Sequence, residues 1–304
     1  MRVLITGGTG LIGRRLTEDL LQDGHEVVVL SRRPEAHQAT MPADVRLVRW
    51  DGRTPEGWGA LVNEVDAVVN LAGENIAAGR WTAARKQRIR ESRVNAGRAL
   101  VAALEAAHTR PRVLVQASAV GYYGPRGDEV LTEEAPPGED FLARVAVEWE
   151  ASTAPVEKMG VRRVIIRTGV VLTPEGGALR RMLLPFKLGL GGPMGNGRQW
   201  FPWIHIADEV GAIRFLIENE HTSGPYNLTA PNPVRNVAFA RALGRVLRRP
   251  AILPVPAFTL RLLFGEMVTV VLDGQRALPK RLLEAGYTFR FVEVESALRD
   301  LLAR

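Results

Sequence analysis

The chain of 304 residues contains no cysteine. That absence excludes a disulfide framework, a thiolate zinc site and a cysteine nucleophile. Histidine is scarce: His25, His37, His108, His205 and His221 show no metal-ligand spacing, so no metal is expected. Lysine is nearly missing, because 36 of the 40 cations are arginine and only Lys86, Lys158, Lys187 and Lys280 remain. Tyrosine occupies four positions. No apolar run approaches the roughly 20 residues that a membrane span requires. The longest, 251–272, is broken by Pro254, Pro256, Arg261, Gly265 and Glu266 and predicts a buried or half-buried helix starting near Pro256. A strand-like run begins at Arg2, where a secretory leader would have a basic segment followed by an apolar one. The expectation is a cytoplasmic protein with no membrane partner.

Charge and composition are those of an ordinary soluble globular chain, 46% hydrophobic and 24% charged, with a formal charge of +7. The arginine-rich stretch 80–98 has a nucleic-acid-like density of cations. Its one interleaved aromatic is Trp81, and acids and apolar residues interrupt it. It predicts a solvated helix face and no nucleic-acid partner.

Short apolar runs alternate with amphipathic segments through the first half. Strands are predicted at 2–6, 26–30, 45–50, 67–71, 112–117 and 163–167, with helices at 11–23, 82–107 and 140–159. This alternation predicts an α/β fold, a doubly wound parallel Rossmann sheet in the order 3-2-1-4-5-6-7, with a seventh strand at 226–228. After Arg167 the texture becomes rich in Gly and Pro. The expected division is a Rossmann domain over 1–175, to which 203–229 returns, and a smaller, mostly helical C-terminal domain on the substrate side over 176–304.

Thr6-Gly7-Gly8-Thr9-Gly10-Leu11-Ile12-Gly13 joins the first strand to the first helix. In that setting Gly7 permits the tight turn, Gly10 lets backbone approach a pyrophosphate and Gly13 lets helix pack on strand. The second strand ends in Ser31-Arg32-Arg33. An acid there would hold a ribose 2′-hydroxyl. Arginine in its place suits a 2′-phosphate, and so NADP rather than NAD.

These segments, with Asn70-Leu71-Ala72-Gly73 and 118–124, resemble an extended short-chain dehydrogenase/reductase. Gly73-Glu74-Asn75-Ile76, Trp149-Glu150, Gly176-Gly177-Ala178-Leu179 and Trp203-Ile204-His205-Ile206 narrow the resemblance to its atypical "epimerase family protein" group, whose members are also labelled cell-division inhibitor or nucleoside-diphosphate-sugar epimerase. The resemblance runs from residue 1 to about 300 and implies a Rossmann domain that binds NADP(H). It further implies that Gly7, Gly10, Leu11 and Ile12 line the pyrophosphate and that Ser31 and Arg32 meet the 2′-phosphate. Leu71, Ala72 and Gly73 would pass beside the adenine ribose, followed by Glu74. Arg93 would reach back to the cofactor, and Gly169 and Val170 would lie by the nicotinamide ribose or ring.

The tyrosine–lysine pair of a standard short-chain dehydrogenase, four residues apart on one helix, is missing. The residues four beyond Tyr122, Tyr123, Tyr226 and Tyr287 are Arg126, Gly127, Ala230 and Phe291. Aligning Tyr123-Gly124 with the usual motif puts Ala119 at the Ser/Thr position, with Ser118 one residue early. Acid–base work then falls to Ser118, Tyr122, Tyr123, Glu74 or His205, and strict alternation lets one of the two tyrosines reach the cleft. The helix over 141–150 is expected to offer no proton donor there. Two readings follow. The first is an NADP(H)-dependent oxidoreductase or epimerase acting on a small carbonyl or sugar-nucleotide substrate. The second is a non-catalytic NADP(H) sensor or regulator acting through a protein partner.

Overall fold

The second strand, Glu-Val-Val-Val-Leu-Ser, is buried at every position after its first, as a strand covered on both faces must be. A computed structural model, describing residues 1–303, sets it in a seven-stranded sheet. The strands are β1 (Arg2–Thr6), β2 (Glu26–Ser31), β3 (Arg46–Arg49), β4 (Ala67–Asn70), β5 (Val113–Ala119), β6 (Arg162–Thr168) and β7 (Gly224–Leu228). Their spatial order is β7-β6-β5-β4-β1-β2-β3, and every pairing is parallel. Chain direction reverses about the β1/β4 pair, so the crevice of this doubly wound sheet opens at the carboxyl ends of those two strands.

Helices α1 (Leu11–Gln22), α2 (Ala83–Glu105), α3 (Phe141–Ala151) and α5 (Ile206–Glu218) cover the faces, α4 (Gly177–Lys187) standing between the last two in sequence. Alternation in the strands sorts the side chains. Val3, Ile5, Val29, Val69 and Val115 face the layer of α1 and α5, packing on Leu16, Leu20 and Ile213. Leu4, Val28, Val68 and Leu114 face the other way, onto Ala96, Leu100 and Leu104 of α2. The first half of α2 is the arginine-rich stretch. It is not a bare solvated face, since Arg85, Arg88, Lys86 and Arg90 pair with acids of other segments, namely Glu74, Glu266 and Glu148.

The C-terminal part holds α6 (Asn236–Leu247), α7 (Ala257–Phe264), α8 (Thr269–Leu272), α9 (Lys280–Glu284) and α10 (Val294–Leu302). A third cluster of Leu179, Phe186, Trp203, Phe239, Leu243 and Leu298 joins α4, α6 and α10. Leu282 and Phe289 nevertheless belong to the main core, so the chain end packs back onto the sheet layer.

Two expected elements are corrected. The helix expected over 140–159 ends at Ala151, and Ala154–Met159 continues as a 3-10 turn. Pro155 lacks the N–H that a continuing helix needs. The helix expected near Pro256 does start there, but of α7 only Leu260 is buried while Phe258, Leu262 and Leu263 face outward.

The returning segment is held tightly at the end of β6. Val170 N donates to Pro202 O at 2.6 Å, Gly169 N to Leu228 O at 3.0 Å and Ala230 N to Trp203 O at 2.7 Å. A Cβ on Gly169 would stand 2.1 Å from Pro202 O. Gly169→Ala should therefore cost about 2 kcal/mol or more, since backbone cannot yield as a side-chain tip can. A lower urea midpoint at unchanged slope would show it, and an unchanged midpoint would contradict this contact.

Candidate functional site

The turn between β1 and α1 is set by steric limits. Gly7 has φ +70°, and a Cβ there would stand 2.6 Å from Leu71 O. A Cβ on Gly13 would meet Gly7 O at 2.5 Å, and one on Gly8, which the sequence reading passed over, would meet the Val29 methyls at 2.7 Å. Gly10 differs: it is exposed, and its Cβ would contact only Gly7 O, at 3.1 Å. Its amide closes the turn onto Gly7 O at 2.9 Å. Gly10 caps α1 without a side-chain hydrogen bond, and no acid stands in the first turn. The first-turn amides beside Leu11 and Ile12 thus present the positive end of the helix to an open surface, which is the physical requirement for holding a phosphate. Leu11 also meets the start of α4, its Cδ1 lying 2.9 Å from where a Cβ on Gly176 would be.

At the end of β2, Ser31 is buried, and its hydroxyl accepts from Arg33 N at 3.2 Å. Arg49 is tied to Glu35 at 2.8 Å. Arg32 is exposed and in no ion pair among the described residues, so a free guanidinium stands where an NAD site would carry an acid.

A buried polar chain runs along the strand ends: Thr6 Oγ1 donates to Asn70 Oδ1 at 2.6 Å, Asn70 Nδ2 to Gln116 Oε1 at 2.8 Å and Gln116 Nε2 to Ala117 O at 2.7 Å. Ala72 N donates to Thr6 Oγ1 at 3.3 Å, which draws the 71–73 segment over β1. Gly73 lies on Arg93, 3.1 Å separating its would-be Cβ from the guanidinium carbon. Arg93 NH1 donates to Glu74 O at 3.1 Å and Ile89 O at 2.9 Å, and burial lowers its pKa to about 10. The Glu74 carboxylate pairs with Arg85 at 3.2 Å and Arg88 at 3.6 Å. Both residues thus brace the loop from below.

Farther along the carboxyl edge, Ser118, Arg167 and Asn227 share one register level on β5, β6 and β7. Ser118 Oγ donates to Glu150 Oε1 at 2.6 Å, and Arg167 binds the same carboxylate with Nε at 2.9 Å and NH2 at 3.0 Å. Arg167 NH1 reaches Tyr123 OH at 3.1 Å, and that hydroxyl donates to Asn227 Oδ1 at 2.6 Å. Burial opposes the charge on Arg167, but its bonds to Glu150 outweigh that and hold the guanidinium ionised more firmly than usual. Tyr123 is wholly buried, which pushes its phenol up to about 12. Tyr122 is half-buried, with its ring 3.5 Å from the Arg167 guanidinium carbon and its hydroxyl in no hydrogen bond among the described residues. In α3, Glu148 and Arg144 turn outward, to Arg90 and Glu139 O. From the same helix Glu150 turns inward, onto Ser118 and Arg167. The Trp149-Glu150 pair was the available signal for it. On the returning segment Trp200 donates to Asp128 Oδ1 at 2.9 Å, with Arg235 over its ring at 4.1 Å and Arg276 at 4.8 Å. A hollow of about 370 Å³ between α2 and α3, lined by Arg98, Glu105 and Glu148, includes neither Ser118, Glu150, Arg167 nor the two tyrosines.

The family pattern described as NAD dependent epimerase/dehydratase matches residues 3–229. The chain belongs to that family. A domain of unknown function, DUF1731, matches residues 255–301. Among relatives, epimerase family protein YfhF of Bacillus subtilis is 42% identical over 306 residues, covering 100% of this chain and 98% of its own. The structure of human epimerase family protein SDR39U1 with NADPH superposes with a TM-score of 0.89 at 37% identity, covering 100% of this chain and 99% of that one. UDP-glucuronic acid 4-epimerase of Bacillus cereus, solved with UDP-glucuronic acid and NAD, shares the fold with a TM-score of 0.79 at 16% identity, covering 100% and 99% of the two chains.

In this epimerase-family chain His205 stands at the start of α5. It caps α5, its Nδ1 accepting from Ala207 N at 3.0 Å, and its ring stacks on Phe291 at 4.0 Å. Its Nε2 lies 3.3 Å from Asp300, and burial lowers its pKa to about 4. None of its polar atoms bonds to the Ser118–Tyr122 cluster. On the other side of the β6 end, Thr168 Oγ1 donates to Glu209 Oε1 at 2.8 Å. Glu209, which the sequence reading missed, is fully buried with Oε2 unpartnered, and burial raises its pKa to about 8.

Glu150→Ala leaves Arg167 buried without its partner and should cost about 3–5 kcal/mol, whereas Glu150→Leu with Arg167→Met should recover much of that loss. Urea unfolding of the single and double variants measures the difference. The pH dependence has two limbs. His205 must lose its proton on folding, so stability is full above about 6.5 and falls as pH drops toward 4. Glu209 must take up a proton on folding, so stability is full below about 4.5 and falls as pH rises toward 8. His205→Asn, which keeps a capping side chain, should flatten the acid limb, and Glu209→Gln the alkaline limb. Limbs that keep their slopes in these variants would assign them to other groups.

Proposed function

We propose that the protein binds NADP(H) across the carboxyl edge of its sheet and acts as an oxidoreductase or epimerase on a small carbonyl or sugar-nucleotide substrate. The observation that carries the nucleotide is the pairing of an open, uncapped α1 terminus at Gly10 with an unpaired Arg32 at the end of β2. Gly7, Gly10, Leu11 and Ile12 hold the pyrophosphate on backbone amides, with Gly13 keeping α1 close. Ser31 and Arg32 take the 2′-phosphate. Leu71, Ala72 and Gly73 pass beside the adenine ribose on the brace of Arg93 and Glu74, and Gly169 and Val170 lie toward the nicotinamide ribose. The NADPH in the human relative supports this choice of nucleotide. When bound, the nucleotide supplies or accepts a hydride.

The chain must then move a proton without a tyrosine–lysine pair. Ser118 and Tyr123 have their hydroxyls engaged by Glu150 and Asn227, while His205 holds the α5 terminus with Nδ1 and turns Nε2 toward Asp300, away from that cluster. Tyr122 keeps its hydroxyl free and its ring against Arg167, and we assign the proton to it. A second reading, a nucleotide-dependent regulator without turnover, is favoured by one observation: the polar cluster beside the cleft satisfies itself.

NADPH should bind more tightly than NADH. Arg32→Ala should lower NADPH affinity about 10- to 100-fold, the worth of a hydrogen bond to a charged group, and leave NADH unchanged. Equal affinities in the wild type would falsify the assignment of Ser31 and Arg32. Carbonyl compounds and sugar nucleotides incubated with the NADPH complex should change the absorbance of the reduced ring. Tyr122→Phe should slow that turnover by about 100-fold or more while NADPH still binds. No turnover, together with capture of a partner protein in one redox state of the nucleotide alone, selects the regulator.

A further inference from the structure

The C-terminal part carries an exposed surface that the nucleotide reading does not use. On α4 and the turn after it, Leu184, Leu188 and Leu190 are 66%, 64% and 58% exposed. Beside them Ile252, Phe258 and Leu262 are 76%, 71% and 73% exposed. The two stretches run side by side: Leu253 N donates to Gly191 O at 3.3 Å, Val255 N to Pro193 O at 2.9 Å and Gly195 N to Val255 O at 2.9 Å. Soluble proteins seldom leave so many large apolar side chains open in one region without a use for them.

The charge along these two stretches has one sign. Residues 177–195 and 245–264 contain Arg180, Arg181, Lys187, Arg245, Arg248, Arg249 and Arg261 and not one acid. All seven are exposed, and among the described residues only Arg245 is in an ion pair, with Glu295. The first acid beyond α7, Glu266, is taken by Lys86. Exposed apolar side chains in stretches whose cations, Arg245 excepted, are in no ion pair suit a surface that is apolar beneath and anionic on top. A second copy of this chain would bring the same cations face to face, which like-charge repulsion disfavours. No helix among the described residues is long and apolar enough to cross a membrane, so the contact is one of lying on it.

We propose that α4, its following turn and α7 form a face that rests on an anionic lipid bilayer, with the leucines and Phe258 entering the headgroup layer and the arginines meeting lipid phosphates. The proposal is independent of whether the crevice binds a nucleotide. The whole chain should float with vesicles of phosphatidylcholine containing phosphatidylglycerol and remain behind with phosphatidylcholine alone. Raised salt should weaken the flotation. Phe258→Ser with Leu262→Ser should abolish it at an unchanged melting temperature. Each of Lys187→Gln, Arg248→Gln and Arg261→Gln should weaken partition about fivefold, the value of one basic residue near an anionic surface. Three results overturn the proposal: no flotation with anionic vesicles, flotation that ignores both sets of substitutions, or a concentration-dependent dimer that the Phe258 and Leu262 variant dissolves.

Discussion

The buried pair of Arg167 and Glu150 is the interaction on which the carboxyl edge depends. One guanidinium, 4% exposed, binds the Glu150 carboxylate through two nitrogens and Tyr123 OH and Glu133 O through the third. The same carboxylate takes Ser118. Through these contacts β5, β6, α3 and the turn after β5 are fixed to one another, and Asn227 adds β7. A charge withdrawn from water tolerates little displacement of its partners, since each lost bond leaves an unpaired group in a medium of low dielectric constant. The cluster therefore acts as a rigid floor for whatever lies above it. The polar groups here are committed to one another, and the half-buried Tyr122 borders them with its hydroxyl unengaged.

The nucleotide side follows a different logic. There the chain withholds partners. Gly10 leaves the α1 terminus uncapped, and Arg32 is left without an acid. Around these open groups everything else is fixed: Gly7, Gly8 and Gly13 sit where a single methyl would strike a neighbour, and Arg93 supports Gly73 from beneath. Open donors held by a closely packed frame amount to preorganisation, the condition under which an anion binds without first having to order the loop.

The C-terminal part is tied to the Rossmann layer by several independent contacts. Phe289 and Leu282 enter the main core, Asp208 accepts from the amides of Arg290 and Phe291 at 2.7 and 3.0 Å, and Arg276 and Ala277 extend a short parallel ladder with Val130 and Leu131. With the chain end anchored in this way, the outward apolar residues of α7 stand on a firm base. Their exposure is a property of the folded surface.

Much of this was readable from the residues themselves. The strand order, the glycine turn and the missing acid after β2 follow from local pattern, because alternation, close packing and a strand-end position are properties of short segments. The missing tyrosine–lysine pair could likewise be read by counting along the chain. Other features needed the folded chain. Glu150 and Ser118 are 32 positions apart and Tyr123 and Asn227 are 104 apart, and only the packing of α3 and of the turn after β5 against the strand ends brings them together. His205 and Tyr123 look like acid–base groups in sequence, but burial and neighbours from distant segments make the first a helix cap and the second a core phenol. Side-chain chemistry is written in the sequence. Which of those side chains meets solvent, and which has already spent its hydrogen bonds, is decided by packing between elements far apart in the chain.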